Sequence, residues 1–148
     1  MSSSTVDIAT VTQSIAGLSI SGVTIKALSA IPPTVGDAAK LLIPDPSQII
    51  SDYRIESVDV AEITSDVSYI LHLLYIHCPI AQDISKAISA TMEKATLILV
   101  ALNPDVELNG ADSHDAATLD AIGQIEDPAG NIFWGARISL RIYQTIVN

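Results

Sequence analysis

Val67-Ser68-Tyr69-Ile70-Leu71-His72-Leu73-Leu74-Tyr75-Ile76-His77 is the stretch on which the fold turns. Its β-branched, aromatic and leucine side chains predict a strand, because such residues suit a pleated surface. Side chains alternate between the two faces of a strand. Val67, Tyr69, Leu71, Leu73 and Tyr75 therefore share one face, and Ile70, Leu74 and Ile76 the other. A strand apolar on both faces lies inside a sheet or meets a partner. A second strong alternation runs from Ala136 to Val147. Ile138, Leu140, Ile142 and Ile146 fall on one side, and Arg137, Ser139, Arg141, Tyr143 and Thr145 on the other. That pattern predicts a half-buried antiparallel strand.

Between these strands, Ile84, Ala87, Ile88, Thr91, Ala95, Ile98 and Leu102 recur at helical spacing, with Asp83 before the first and Asn103-Pro104 after the last. This predicts a long helix over 84–102. Upstream, Ile8, Val11, Ile15 and Leu18 predict a shorter amphipathic helix that Gly17 and Gly22 end, and Val23 to Leu28 alternates as a short strand. Ile31-Pro32-Pro33 and Leu42-Ile43-Pro44-Asp45-Pro46 break any sheet interior, since proline lacks the backbone donor. The chain from Ala30 to Asp59 thus reads as mostly extended and without regular structure. Downstream of the long helix, Asp105 to Ala117 is a polar loop with an Asn109-Gly110 turn signal, and Thr118 to Ile125 is a strand. Asp127-Pro128-Ala129-Gly130-Asn131 turns it back into the last strand. The predicted class is α+β: a mainly antiparallel sheet with two helices packed on one face.

The chain has 148 residues, enough for one domain over 1–148. Lys and Arg number 7 and Asp and Glu 17, a formal charge of −10; 49% of residues are hydrophobic and 16% charged. Such a chain is too apolar for intrinsic disorder, and its single cysteine cannot form an internal disulfide. The charge argues against a nucleic-acid binder, because phosphates are held by Lys and Arg. A domain of this size buries about 68–70% of its unfolded surface. The apolar content, with a mean hydropathy of +0.42, exceeds what such a core needs. The surplus points to an assembly subunit; the alternative is a monomer with an Ala- and Ile-rich core.

Met1 to Thr5 lacks the basic and apolar regions of a secretory signal. The apolar stretches Tyr69–Ala81 and Ala95–Leu102 are shorter than the ~20 residues that span a bilayer. The expectation is a chain made in the cytosol, with no membrane partner.

Catalytic patterns do not emerge. Gly17-Leu18-Ser19-Ile20-Ser21 lacks the final glycine of a nucleophile elbow, and nothing matches a phosphate loop. Cys78 with His72 or His77 reads as a buried thiol beside satisfied histidines, since His77 points away from Cys78 on a strand. Asp105, Glu107, Asp112, His114 and Asp115 could approach a divalent cation, but their spacing is not that of an EF-hand. A solvated acidic loop is the simpler reading. Arg137 and Arg141 are expected to pair with carboxylates such as Asp120 or Glu126 across the hairpin, or across a subunit boundary. No enzyme activity, cofactor or metal is expected.

The order of these features resembles a known family. An N-terminal helix and short strand lead to Ile31-Pro32-Pro33 and Leu42-Ile43-Pro44-Asp45-Pro46. The aromatic-apolar strand Tyr69 to His77, the helix Ile84 to Leu102 and a polar loop follow. The hairpin closes with Gly130-Asn131-Ile132-Phe133-Trp134-Gly135-Ala136-Arg137-Ile138-Ser139-Leu140. This resembles the tail-terminator, tail-completion and neck proteins of long-tailed bacteriophages over nearly the whole chain. The resemblance implies a small α+β subunit of a hexameric ring on the end of the tail tube. There it stops tube polymerisation and joins the tail to the neck or head connector. The implied partners are further copies of itself, the tail tube protein and the connector protein. The implied location is the virion, with the host cytoplasm during assembly. DNA would only pass through. An acidic lumen repels phosphate, and Asp105, Glu107, Asp112 and Asp115 are the candidates for the lumen or its rim. Candidate inter-subunit contacts are Pro32, Pro33, Pro44, Pro46, Trp134, Arg137 and Arg141, with residues 30–59 as an arm onto a neighbouring subunit or ring. A monomeric, non-catalytic adaptor that grips a protein with its apolar sheet face is the alternative from another class. Tail terminator, neck protein and head-side adaptor stay open as variants of the ring reading.

Overall fold

The computed structural model describes residues 5–30, 39–80 and 83–147. In chain order the elements are α1 (Ile8–Ala16), β1 (Thr24–Ala27), β2 (Lys40–Ile43), β3 (Ile50–Asp59), β4 (Thr64–Pro79), α2 (Ile84–Ala101), β5 (Ser113–His114), β6 (Thr118–Glu126) and β7 (Ile132–Val147). The two stretches with the clearest alternation become β4 and β7, each 16 residues long. They pair antiparallel along their length at the middle of a 7-stranded sheet. The outer edge of β4 is taken by β2 near one end and β3 near the other; that of β7 by β6 and β5. Every pairing is antiparallel except β1 with β2. The class is α+β, as expected, with a curled, mixed sheet.

The ladder register explains the core. Tyr69 stands opposite Ile142, Leu71 opposite Leu140, Leu73 opposite Ile138 and Tyr75 opposite Ala136. All eight are fully buried. Val11 and Ile15 of α1 and Ala95 and Ile98 of α2 pack into the same cluster, so both helices cover the same face. Each helix begins where an aspartate accepts an orphan backbone donor: Asp7 from the Thr10 N–H at 3.1 Å and Asp83 from the Lys86 N–H at 3.1 Å. Ile84 departs from its expected place on the buried stripe. It is 55% exposed at the helix start, and the stripe proper begins at Ala87.

The stretch 30–59 differs from its reading. Its described part holds two strands, β2 and β3, and between them Pro44 and Pro46 are buried. β3 is an irregular edge strand: its register against β4 shifts between Ser51 and Arg54 and again between Ile55 and Ser57. Asp52 takes a left-handed φ of +48° at the first shift, a region that aspartate tolerates better than most residues.

The second sheet face is not a broad apolar surface. A small cluster of Leu42, Leu74, Ile76, Ile125 and Phe133 occupies one end, and Ile70, His72, Ser139, Arg137 and Arg141 occupy the rest. At the cluster, Gly135 lies against β4: a Cβ there would stand 2.3 Å from the Tyr75 carbonyl oxygen.

His77 closes the far end of β4. The Tyr75 hydroxyl lies 2.8 Å from its Nδ1. Burial first, and the Lys94 charge second, hold its pKa below the ordinary 6.5. A group with a depressed native pKa binds its proton more readily when unfolded. Its stabilising contribution is therefore complete above pH 6.5 and is lost as pH falls from there towards the native value. Urea unfolding midpoints are expected to drop between about pH 7.5 and 5.5. A His77→Gln variant is expected to drop less, and parallel curves for the two proteins would refute the assignment.

Candidate functional site

The acidic loop is anchored from below. The Asn103 side chain accepts from the Asp105 N–H at 2.9 Å and donates to the Val100 carbonyl at 2.8 Å. The Asn109 N–H donates to Ser14 Oγ at 3.0 Å, which pins the loop to α1. Gly110 sits at φ +85°, where a Cβ would press on Thr10 and Val11 within 3.2 Å. His114 turns inward and is buried, with Nε2 2.7 Å from the Val106 carbonyl and Nδ1 2.9 Å from that of Asp115. It therefore organises the loop's backbone instead of facing the carboxylates.

Asp105, Glu107, Asp112 and Asp115 are all exposed. They do not converge on one point. Asp112 accepts the Thr145 N–H at 2.6 Å, and Asp115 accepts the Tyr143 hydroxyl at 2.9 Å. That bond to the carboxylate is the main cause raising the Tyr143 pKa. Among the described residues no group of three or more His, Cys, Asp or Glu side chains is placed to hold a metal ion.

The fold brings two further carboxylates to this surface. Glu56 and Asp66 line a shallow depression of about 360 Å³ together with Asp112, Tyr143 and Thr145. Asp66 accepts from Thr145 Oγ1 at 2.6 Å and from Ser57 Oγ at 2.7 Å. Those bonds, Thr145 first, hold its carboxyl below the usual range, so it stays charged well into acid. Loop, β3 and β4 thus present one acidic surface. Pattern reading missed Glu56 and Asp66 because only the β3–β4 register delivers them there.

The arginines find other partners than those expected. Arg137 pairs with Asp45, whose side chain is only 2% exposed, and also donates to Ser47 Oγ at 3.1 Å. Arg141 pairs with Asp52 and donates to Ser68 Oγ at 2.7 Å. Arg54 bridges Asp52 at 3.6 Å and Glu56 at 3.2 Å. Asp120 instead accepts from Ser139 Oγ at 2.7 Å. Both arginines on β7 thus pair with carboxylates of this chain.

Of the other expected contact residues, Pro44, Pro46 and Trp134 are buried inside this chain, and Pro32 and Pro33 lie outside the described residues. The exposed apolar side chains lie elsewhere. One set surrounds the β3–β4 hairpin: Tyr53, Ile55, Val58, Val60 and Ile63, of which Val60 is 83% exposed. Another follows the outer side of α2: Met92, Leu97 and Val100. Among the described residues no helix is long and apolar enough to cross a membrane.

No protein-family model matches the chain, and no curated protein matches it.

Proposed function

We propose that this chain is a structural virion protein, a tail terminator whose ring caps the tail tube and joins it to the neck or head connector. The observation that carries the reading is the surface left uncovered by the chain's own helices. Apolar side chains cluster on the β3–β4 hairpin and on α2, at separate places on one subunit. Separate patches suit head-to-tail contacts between identical copies, which close into rings. The acidic surface formed by Glu56, Asp66, Asp112 and Asp115 suits a bore through which DNA slides without adhering. Like charges repel over a Debye length of roughly 8 Å at physiological salt.

The test is genetic and visual. Particles assembled without this protein are expected to carry tails of excess length that have not joined heads. Purified protein supplied during assembly should restore normal tail length and joining to heads. Tails of normal length already joined to heads in its absence would overturn the reading. A monomeric adaptor that grips a protein with its apolar sheet face predicts unaltered tails.

A further inference from the structure

We propose that Asn109 is a site of spontaneous deamidation, a covalent change that adds a negative charge to the acidic loop. The reaction joins the side-chain amide of an asparagine to the backbone N–H that follows it, and heat-adapted proteins are poor in asparagine because it is thermolabile. Asn109 is exposed and Gly110 follows it. The two form the tip of a turn in which the Ala111 N–H donates to the Leu108 carbonyl at 3.2 Å. The Asn109 backbone N–H is held by Ser14 Oγ at 3.0 Å. Among the described residues nothing bonds the Asn109 side-chain amide or the Gly110 N–H, so both reacting groups are open. The fold also keeps the glycine. Gly110 sits at φ +85°, where an L side chain is strained. A Cβ there would lie 3.1 Å from Thr10 Cβ and 3.2 Å from the Asp7 carbonyl oxygen. The residue that hinders ring closure least is therefore the one this turn requires.

The other two asparagines among the described residues are tied down. Asn103 donates to the Val100 carbonyl at 2.8 Å and accepts the Asp105 N–H at 2.9 Å. Pro104, which follows it, has no N–H to react. Asn131 donates from Nδ2 to Asp127 Oδ2 at 3.0 Å, and the stiff, β-branched Ile132 follows it. At Asn109, the Gly110 nitrogen gives its proton to water and bonds to Asn109 Cγ. The Cγ–Nδ2 bond breaks and ammonia leaves. Water then opens the five-membered imide. Cleavage between Cγ and the Gly110 nitrogen leaves aspartate. Cleavage between the backbone carbonyl carbon and that nitrogen leaves isoaspartate, with the main chain lengthened by one carbon. Either product sets a new carboxylate between Glu107 and Asp112, both exposed. Isoaspartate also shifts Gly110 from its seat against Thr10 and Val11 of α1. The reaction takes place within one chain, so it is independent of the ring reading.

The experiment incubates the full chain at mildly alkaline pH and body temperature, beside a sample unfolded in guanidinium chloride. Intact mass and fragmentation of digested peptides follow each asparagine, and an isoaspartyl methyltransferase labels the lengthened product. A mass gain equal to the difference between an OH and an NH2 group is expected at Asn109 in the folded protein, before any at Asn103 or Asn131. Asn109→Gln, whose longer side chain closes its ring more slowly, is expected to lose that early gain. The isoaspartate fraction, separated by anion exchange, is expected to melt below the unmodified protein. Earlier conversion of Asn131 overturns the proposal. So does a folded chain without gain at Asn109 once the unfolded sample has converted there. An isoaspartate fraction that melts with the unmodified protein overturns the link from this site to α1.

Discussion

Gly135→Ala is expected to destabilise the protein by about 2–3 kcal/mol, the upper part of the overpacking range. For a domain of this size that lowers the melting temperature by about 4–12 °C. The added Cβ would lie 2.3 Å from the Tyr75 carbonyl oxygen and 2.6 Å from Ile125 Cδ1. The isoleucine terminus can rotate away. The carbonyl cannot, because it belongs to the central ladder just before the irregularity between Ile76 and Cys78. A Gly135→Ala, Ile125→Ala double variant relieves only the side-chain clash, so it should recover none of the backbone cost and add a cavity. Thermal unfolding followed by circular dichroism measures both. A melting temperature within a degree of wild type for the single variant would refute this close approach of β7 to β4.

Arg137→Ala carries the second large effect, a loss of about 2 kcal/mol. Breaking a fully buried ion pair from one side costs about 3–5 kcal/mol, because the remaining charge is stranded. The figure is lowered here because the Arg137 side chain is 40% exposed, while that of Asp45 is 2% exposed. Asp45 also keeps the Ser47 N–H and hydroxyl, both at 2.8 Å. Asp45→Asn removes the stranded charge, so adding it to Arg137→Ala should cost less than it does in the wild-type background. A double-mutant cycle by urea unfolding reads that coupling. Additive costs would show that the pair contributes nothing beyond its separate hydrogen bonds.

What pattern reading recovers and misses follows from the residues themselves. β4 and β7 were legible because their buried side chains recur every second residue without interruption across the central ladder. Both helices were legible from Val11 and Ile15, from Ala95 and Ile98, and from the aspartates that cap them. β3 was not. Its larger apolar residues fall at 50, 53, 55 and 58, steps of three, two and three, because two register shifts insert extra residues. β2 has four residues and runs straight into Pro44, so its alternation is too short to read. The arginine partners were out of reach for another reason. Arg137 and Asp45 are 92 positions apart, and Arg141 and Asp52 are 89 apart, so only the assembled sheet joins them. The acidic loop was visible as composition, whereas Glu56 and Asp66 needed the strand pairing to reach it.

The placement of β7 governs how this polypeptide can be made. Its final strand fills the middle of the sheet, between β4 on one side and β6 with β5 on the other. Gln144 also clasps the chain's beginning, donating to the Thr5 carbonyl at 3.1 Å and accepting the Asp7 N–H at 3.1 Å. Until Ile132 to Val147 pair, β4 lacks its central partner, and β5 and β6, which bond to β7, have no sheet to join. The pairing of β4 with β7 joins segments far apart in the chain, and long-range pairing of this kind is slow. During that interval β4 stands with an unpaired, greasy flank, so a cell making this protein quickly has reason to engage a chaperone.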